Sequence, residues 1–399
     1  MPVVTSLPLT STEVVTDPYP LFAQARMQAP VQWHEGLGMW LTFTHAAANS
    51  VLRARTLGRI WTPRWPDEPM PAFALIHVHS LLESEPPQHT RLRRLVAGAF
   101  ARGHVERLRP QIAQLANRLA DRVADEGSDG SVVDLISSYA GPLPVQVIAE
   151  LLGVPGSDWH LLRPWSNAIV KMYEYDVSAA QKAAAEQAAR EFVAYLRDLV
   201  AVRRRAPEQD LISSLIAEVD SDGARLTEDE LVTTCTLLLN AGHEATVNVV
   251  GNGVTALLTH PEQLELLRSA ADLLDPAVEE LIRYDSPLQL FERTAVADTA
   301  IGEVAVEPGQ KIAALLGAAN RDPAVFAEPD SFRVDRMDNP HLGFGAGIHF
   351  CVGAPLARVE LQSSVRTLLA RFPNLALHRP PVRRPEFVIR GVTSLPVTI

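Results

Sequence analysis

Between Thr227 and Pro261 the chain carries one unbroken helical pattern, and this limits the possible folds more than any other feature. Thr227 and Glu230 form a capping-box pair at its start, each side chain satisfying a backbone N–H that the first turn leaves open. A helix of this length exceeds the usual globular range and has to run through the middle of a large body. Ile112, Leu115, Leu119 and Val123 recur at three- and four-residue spacing and predict a second helix, ending near Gly127. A third is expected from about Ala179 to Arg204, before Pro207. Strands are fewer. Pro30 to Phe43 reads as a hairpin, with Val31, Trp33, Trp40, Leu41 and Phe43 around a turn containing Gly36 and Gly38. Short β segments are expected around Ala295–Val306 and Lys311–Leu316, and the tail Glu386–Ile399 alternates weakly. There is no βαβ alternation, internal repeat or phosphate-binding glycine loop. The expected class is mainly α (α+β), one domain over 1–399, β-richer at about 25–60, 290–320 and 385–399.

The chain of 399 residues is long enough to bury a large core and a sizeable prosthetic group. Its net charge of −11 argues against nucleic acid as a partner. Met1 to Pro20 lacks a basic start followed by an apolar block, and no later segment is apolar for long enough to span a bilayer. Cys235 and Cys351 cannot make a disulfide framework and suit a reducing compartment, so a cytoplasmic protein away from membranes is expected. Arg91, Arg93 and Arg94 cluster in one segment, Arg358 and Arg366 in another. Either group fits a solvated helix face or a docking surface.

Cys351 lies in the run Phe344-Gly345-Ala346-Gly347-Ile348-His349-Phe350-Cys351-Val352-Gly353. Its glycines tolerate torsions that other residues avoid, so the backbone can fold tightly around one sulfur. Gly353, Ala354 and Pro355 then open a helix. A thiolate near a helix N-terminus is stabilised by unpaired N–H groups and the helix dipole. Read alone, the same residues also fit a buried structural cysteine beside a Gly-rich turn.

The pattern F-G-x-G-x-H-x-C-x-G resembles the haem-ligand loop of the cytochrome P-450 family, whose cysteine thiolate is the axial ligand of iron. The resemblance runs from about Asp17 to the C-terminus and is strongest from Glu280 onward. It implies a triangular helical prism with small β-sheets, and haem b (iron protoporphyrin IX) between a long distal helix and a proximal cysteine loop. Cys351 is then the metal ligand, in a cradle including Phe344, Gly345 and Gly353. Glu280 and Arg283 match the family's structural E-x-x-R pair before Ser286-Pro287, although an i,i+3 pair alone is common surface decoration. The segment from Asn320 to Arg336 resembles the stretch leading to the ligand loop, with Arg333 where an acid is more usual.

Mid-way along the long helix, Ala241-Gly242-His243-Glu244-Ala245-Thr246 resembles the distal motif A-G-x-[E/D]-T-T. There Ala241 and Gly242 imply room for bound O2 and Glu244 implies proton delivery. The usual threonine after the acid is replaced by Ala245. Thr246 stands one position on, about 100° round the helix, and cannot simply substitute. His89 and Arg93 in P-P-x-H-x-x-x-R, with Arg293 and His349, are the implied partners of the haem propionates. Singly, each of these also fits a solvated cation or a satisfied core histidine.

The resemblance implies a monooxygenase that inserts one oxygen atom from O2 into a C–H bond of a small-to-medium hydrophobic substrate. No flavin- or nicotinamide-binding segment is visible. Electrons are therefore expected from a ferredoxin-type donor and its reductase, with NAD(P)H acting only indirectly and Arg93, Arg94 and Arg358 offering a docking face to a monomer. The pocket is expected from Trp61–Ile76, Ile169–Tyr173, Leu238–Ala245, Leu288–Phe291 and Val392–Leu395. Its main candidates are Val170, Leu238, Leu288, Leu290 and Thr393, each of which equally fits plain core. Two alternatives stand beside this reading: a peroxide-driven haem-thiolate enzyme, suggested by Ala245, and a haem-binding sensor or carrier without turnover.

Overall fold

The structure is a computed structural model and describes residues 3–218, 223 and 225–399. In chain order the helices that matter below are α1 (His45–Arg53), α2 (Pro71–Val78), α3 (Gln88–Ala97), α4 (Arg102–Glu126), α5 (Pro142–Leu152), α6 (Ala179–Arg205), α7 (Glu228–Thr259), α8 (Leu274–Tyr284) and α9 (Ala354–Arg371). Expected and observed boundaries agree closely. Ser178 caps α6 in a reciprocal box with Gln181. At α7, the Glu230 N–H donates to Thr227 Oγ1 at 3.2 Å and the Thr227 N–H to Glu230 Oε2 at 3.0 Å. The 32 residues of α7 are the long helix that the pattern predicts.

The chain divides into two compact units, the division falling within α7 between Glu244 and Ala245. One comprises Met1–Gly58, Arg109–Pro142 and Ala245–Ile399. It holds a mixed sheet of β1 (Val4–Thr5), β2 (Val31–His34), β3 (Met39–Thr42), β4 (Leu57–Gly58), β5 (Leu290–Ala295) and β6 (Lys311–Leu315), in the spatial order β1-β2-β3-β6-β5-β4. The predicted hairpin is β2–β3, with Trp33 opposite Trp40 and Gly38 at φ +60° closing the turn. Trp40, Val51, Ile312 and Ala314 pack in one buried cluster that also takes in Leu342 and Ala346. The segment leading to Cys351 is thereby rooted in the core of this sheet and of α1.

The other unit comprises Arg59–Leu108 and Leu143–Glu244. In it, α2 packs on α6. The Glu186 carboxylate of α6 accepts the Ala72 and Phe73 N–H groups at 3.1 and 3.0 Å, satisfying open donors of the first turn of α2. Trp61 stacks on His77 at 4.4 Å, and Phe73 lies 4.5 Å from the same ring. Gly242 packs here as well. A Cβ on it would lie 3.1 Å from Ile148 of α5, so close helix approach is one physical reason for a glycine inside α7.

Candidate functional site

The loop around Cys351 is closed by its own backbone. The Gly345 N–H donates to Leu342 O at 2.8 Å, and the Cys351 N–H donates to Phe344 O at 2.9 Å. Gly345 and Gly347 sit at φ +69° and +71°, where a side chain is disfavoured. Gly353 is the N-cap of α9 and has an ordinary negative φ, so its place reflects the helix start and the sulfur 3.9 Å from its Cβ direction. A Cβ on Gly347 would meet Leu52 O at 2.4 Å, a backbone atom of α1 that cannot swing away. Gly347→Ala is therefore expected to cost about 1–2 kcal/mol from the torsion alone, with the collision added. Denaturant titration checks this, and an unchanged midpoint would show the loop able to rearrange.

The Glu280–Arg283 pair is fully buried rather than a surface decoration. Arg283 Nε and Nη2 donate to the two Glu280 oxygens at 2.7 and 2.8 Å, a bidentate fork. The guanidinium also reaches Asn320 O, Pro329 O and Ser331 O at 2.9, 2.7 and 3.2 Å. Glu280 accepts from Arg333 N, Arg336 Nε and Asn339 Nδ2. One pair thus ties α8 to most of the 320–339 segment ahead of the ligand loop. The Arg333 side chain turns to Asp335 and Glu328, so the departure from an acid there changes local pairing only.

Next to this pair stands a group whose pairing sequence patterning passes over. Arg358 of α9 donates to both Glu279 oxygens, at 2.6 and 2.8 Å, and His341 Nε2 lies 3.0 Å from Glu279 Oε2. Burial acts to raise the Glu279 carboxyl, but the hydrogen bonds from Arg358 and His341 outweigh it and hold it at about 2. The Arg358 guanidinium lies 4.5 Å from the centre of the Phe344 ring. Its side chain is 35% exposed, so much of this cation is engaged inward. Arg91 is likewise paired with Glu230; Arg94 and Arg366 lie at the surface. The only available sequence signal was the doubled acid Glu279-Glu280.

On α7, Glu244 and Thr246 are buried, while Ala241 and Ala245, four apart on one helix face, are exposed. His243 Nε2 stands 3.4 Å from Glu244 Oε2, an ion pair only when the imidazole is protonated. Among the candidate cations, Arg293 is buried on β5 with its guanidinium 5.9 Å from Phe291, and His349 is half-buried. His89 is buried and Arg93 half-buried, one turn apart on α3. Of the pocket candidates, Val170, Leu238 and Leu290 are buried. Leu288 packs against the sheet core, and exposed Thr393 donates to Val382 O at 3.2 Å.

This donor set fits haem. Among the described residues no three His, Cys, Asp or Glu side chains gather to hold a bare metal ion, and Cys351 offers a single soft sulfur ligand. Cys351 is part-exposed on a glycine loop at a helix start, the setting of a deprotonated sulfur.

The Cytochrome P450 family profile matches residues 145–393, which draw on both units. The chain is 40% identical to the cytochrome P450 monooxygenase PikC of Streptomyces venezuelae, over 99% of its own length and 94% of the relative's. It is 38% identical to the 6-deoxyerythronolide B hydroxylase of Saccharopolyspora erythraea, covering 98% of each. The crystal structure of P450BioI, in complex with an acyl carrier protein ligated to hexadec-9Z-enoic acid, superposes with a TM-score of 0.91 at 36% identity, over 98% of this chain and all of that one. The chain belongs to the cytochrome P450 family and has its fold; it is a haem-thiolate monooxygenase, using haem b and O2. No helix among the described residues is long and apolar enough to cross a membrane.

Proposed function

We propose that this monooxygenase hydroxylates a small-to-medium hydrophobic organic molecule in the cytoplasm, with electrons from a separate ferredoxin-type donor and its reductase. The observation that carries the substrate class is the exposed pair Ala241 and Ala245, small and uncharged, in the middle of an otherwise largely buried helix. When bound, haem would supply the activation of dioxygen and the transfer of one of its atoms to a C–H bond, the other leaving as water with two electrons and two protons, and the thiolate would favour O–O cleavage. Cys351 would hold the iron, and Phe344, Gly345 and Gly353 would shape the surface around the sulfur. His89, Arg93, Arg293 and His349 would neutralise the propionates. Glu280 and Arg283 act only by fixing the backbone ahead of the loop.

Glu244, buried beside His243 on this stretch of α7, is the proposed proton relay. Ala245 offers no hydroxyl and Thr246 is buried on another side of the helix, so ordered water or a substrate hydroxyl has to complete the path. Val170, Leu238, Leu288, Leu290 and Thr393 are the proposed substrate neighbours. Arg93 and exposed Arg94 are the proposed docking cations for an acidic donor.

A screen of hydrophobic ligands against the ferric Soret band, followed by assay of the hits, tests the whole reading. Shifting ligands are expected to give product in proportion to NADPH consumed through donor and reductase. Arg94→Glu should slow that reaction and leave peroxide-supported turnover unchanged. Product with peroxide but none with donor and reductase would establish the peroxide-driven alternative, which the missing hydroxyl at Ala245 favours. No product by either route would leave a sensor or carrier.

A further inference from the structure

The Glu279–Arg358 pair has no part in the proposed function, and its place gives it one. Arg358 lies in the second turn of α9, the helix that begins just after Cys351. Its guanidinium covers Phe344, whose carbonyl accepts the Cys351 N–H. The charge of Cys351 acts on Arg358 in the same sense as Glu279 does, favouring the guanidinium cation. Glu279 fixes that cation with two short bonds and carries the opposite charge.

We propose that Glu279 and Arg358 are positioning residues that set the reduction potential of the haem iron through the electron density on Cys351 Sγ. This rests on Cys351 being the axial ligand, as in the proposed function. A cation packed on the loop that carries the sulfur draws charge from the thiolate and favours the electron-richer ferrous state. The Glu279 carboxylate offsets it. The two side chains therefore act in opposite directions, which a purely structural role would not produce.

The test is the midpoint potential of the holoprotein under carbon-monoxide-free titration, with the ferrous carbon-monoxide spectrum as control. Glu279→Gln leaves the cation uncompensated and is expected to raise the potential; Arg358→Gln leaves the carboxylate and is expected to lower it. Each should change the ferrous-to-ferric ratio at fixed potential by up to about tenfold, or 59 mV for one electron. The double variant should return close to the starting value. Glu279 and Arg358 remain 25% and 35% exposed, so both shifts should shrink as salt is added. Should a glutamine variant not load haem, Arg358→Lys keeps the charge and should keep the potential. Shifts of the same sign, no shift, or a fall with Arg358→Lys equal to that of Arg358→Gln would overturn the proposal. If the unmodified protein lacks the thiolate carbon-monoxide band, the proposed function fails instead.

Discussion

Cys351→Ala is expected to abolish the thiolate-type ferrous carbon-monoxide spectrum and reduce donor-supported turnover to the detection limit, while leaving the polypeptide folded. The reason lies in how the loop is held. Its closure uses the backbone of Leu342, Phe344, Gly345 and Cys351, together with the burial of Leu342 and Ala346 in the sheet core. None of these contacts needs the sulfur. Cys351 is also part-exposed, so losing one sulfur atom should change the stability of the apoprotein by no more than about 0.5 kcal/mol, as for surface substitutions generally. Cys235 is the internal control. It is fully buried on α7 and burial pushes its thiol up to about 12, so it stays protonated and a poor metal ligand. Cys235→Ala should keep the spectrum. A carbon-monoxide spectrum unaffected by Cys351→Ala would remove the ligand assignment, and loss of the apoprotein fold would show the sulfur to be structural.

How much of this was legible in the sequence depended on the range of the interactions. Helix periods and caps are local, and the α7 start followed from Thr227 and the ends of α6 and α7 from Pro207 and Pro261, whereas the Ser178 cap of α6 was not read. The hairpin followed from its flanking apolar and aromatic residues and the glycines of its turn; its register, Trp33 opposite Trp40, was not read from the sequence. The strand Val4–Thr5 was not legible: two residues carry no pattern, and their order comes from pairing with Trp33 and His34. Charge was legible but its partner was not. Arg358 read as a docking cation, and its bond to Glu279, 79 positions away, exists only in three dimensions. Gly242 read as room for a ligand, and its close approach to Ile148, within 3.1 Å of where its Cβ would lie, was not legible because it joins two helices far apart in sequence. The tight turns at Gly345 and Gly347 were legible because a positive φ leaves its own mark in residue type.

The largest loss of stability is expected from Arg283→Ala. Arg283 and Glu280 have no exposed side-chain surface, and the guanidinium makes five hydrogen bonds, two to Glu280 and three to carbonyls of the 320–339 segment. Removing it leaves a buried carboxylate with one cation instead of two, and takes one donor each from the carbonyls of Asn320, Pro329 and Ser331. Breaking a buried pair in this way costs about 3–5 kcal/mol, a large part of the roughly 5–15 kcal/mol that keeps a protein folded. Arg283→Lys should recover little, since an ammonium cannot make the bidentate fork and reach three carbonyls at once. The effect should extend to haem retention, because Asn320 Oδ1 accepts the Leu342 N–H at 2.7 Å and Asn320 Nδ2 donates to Ser286 Oγ at 2.8 Å, linking this network to the start of the ligand loop. Urea unfolding and haem content per polypeptide, measured on the same preparation, check both parts. A variant that kept its unfolding midpoint and full haem would show that the segment is held mainly by apolar packing, and that the buried charges do not position the loop.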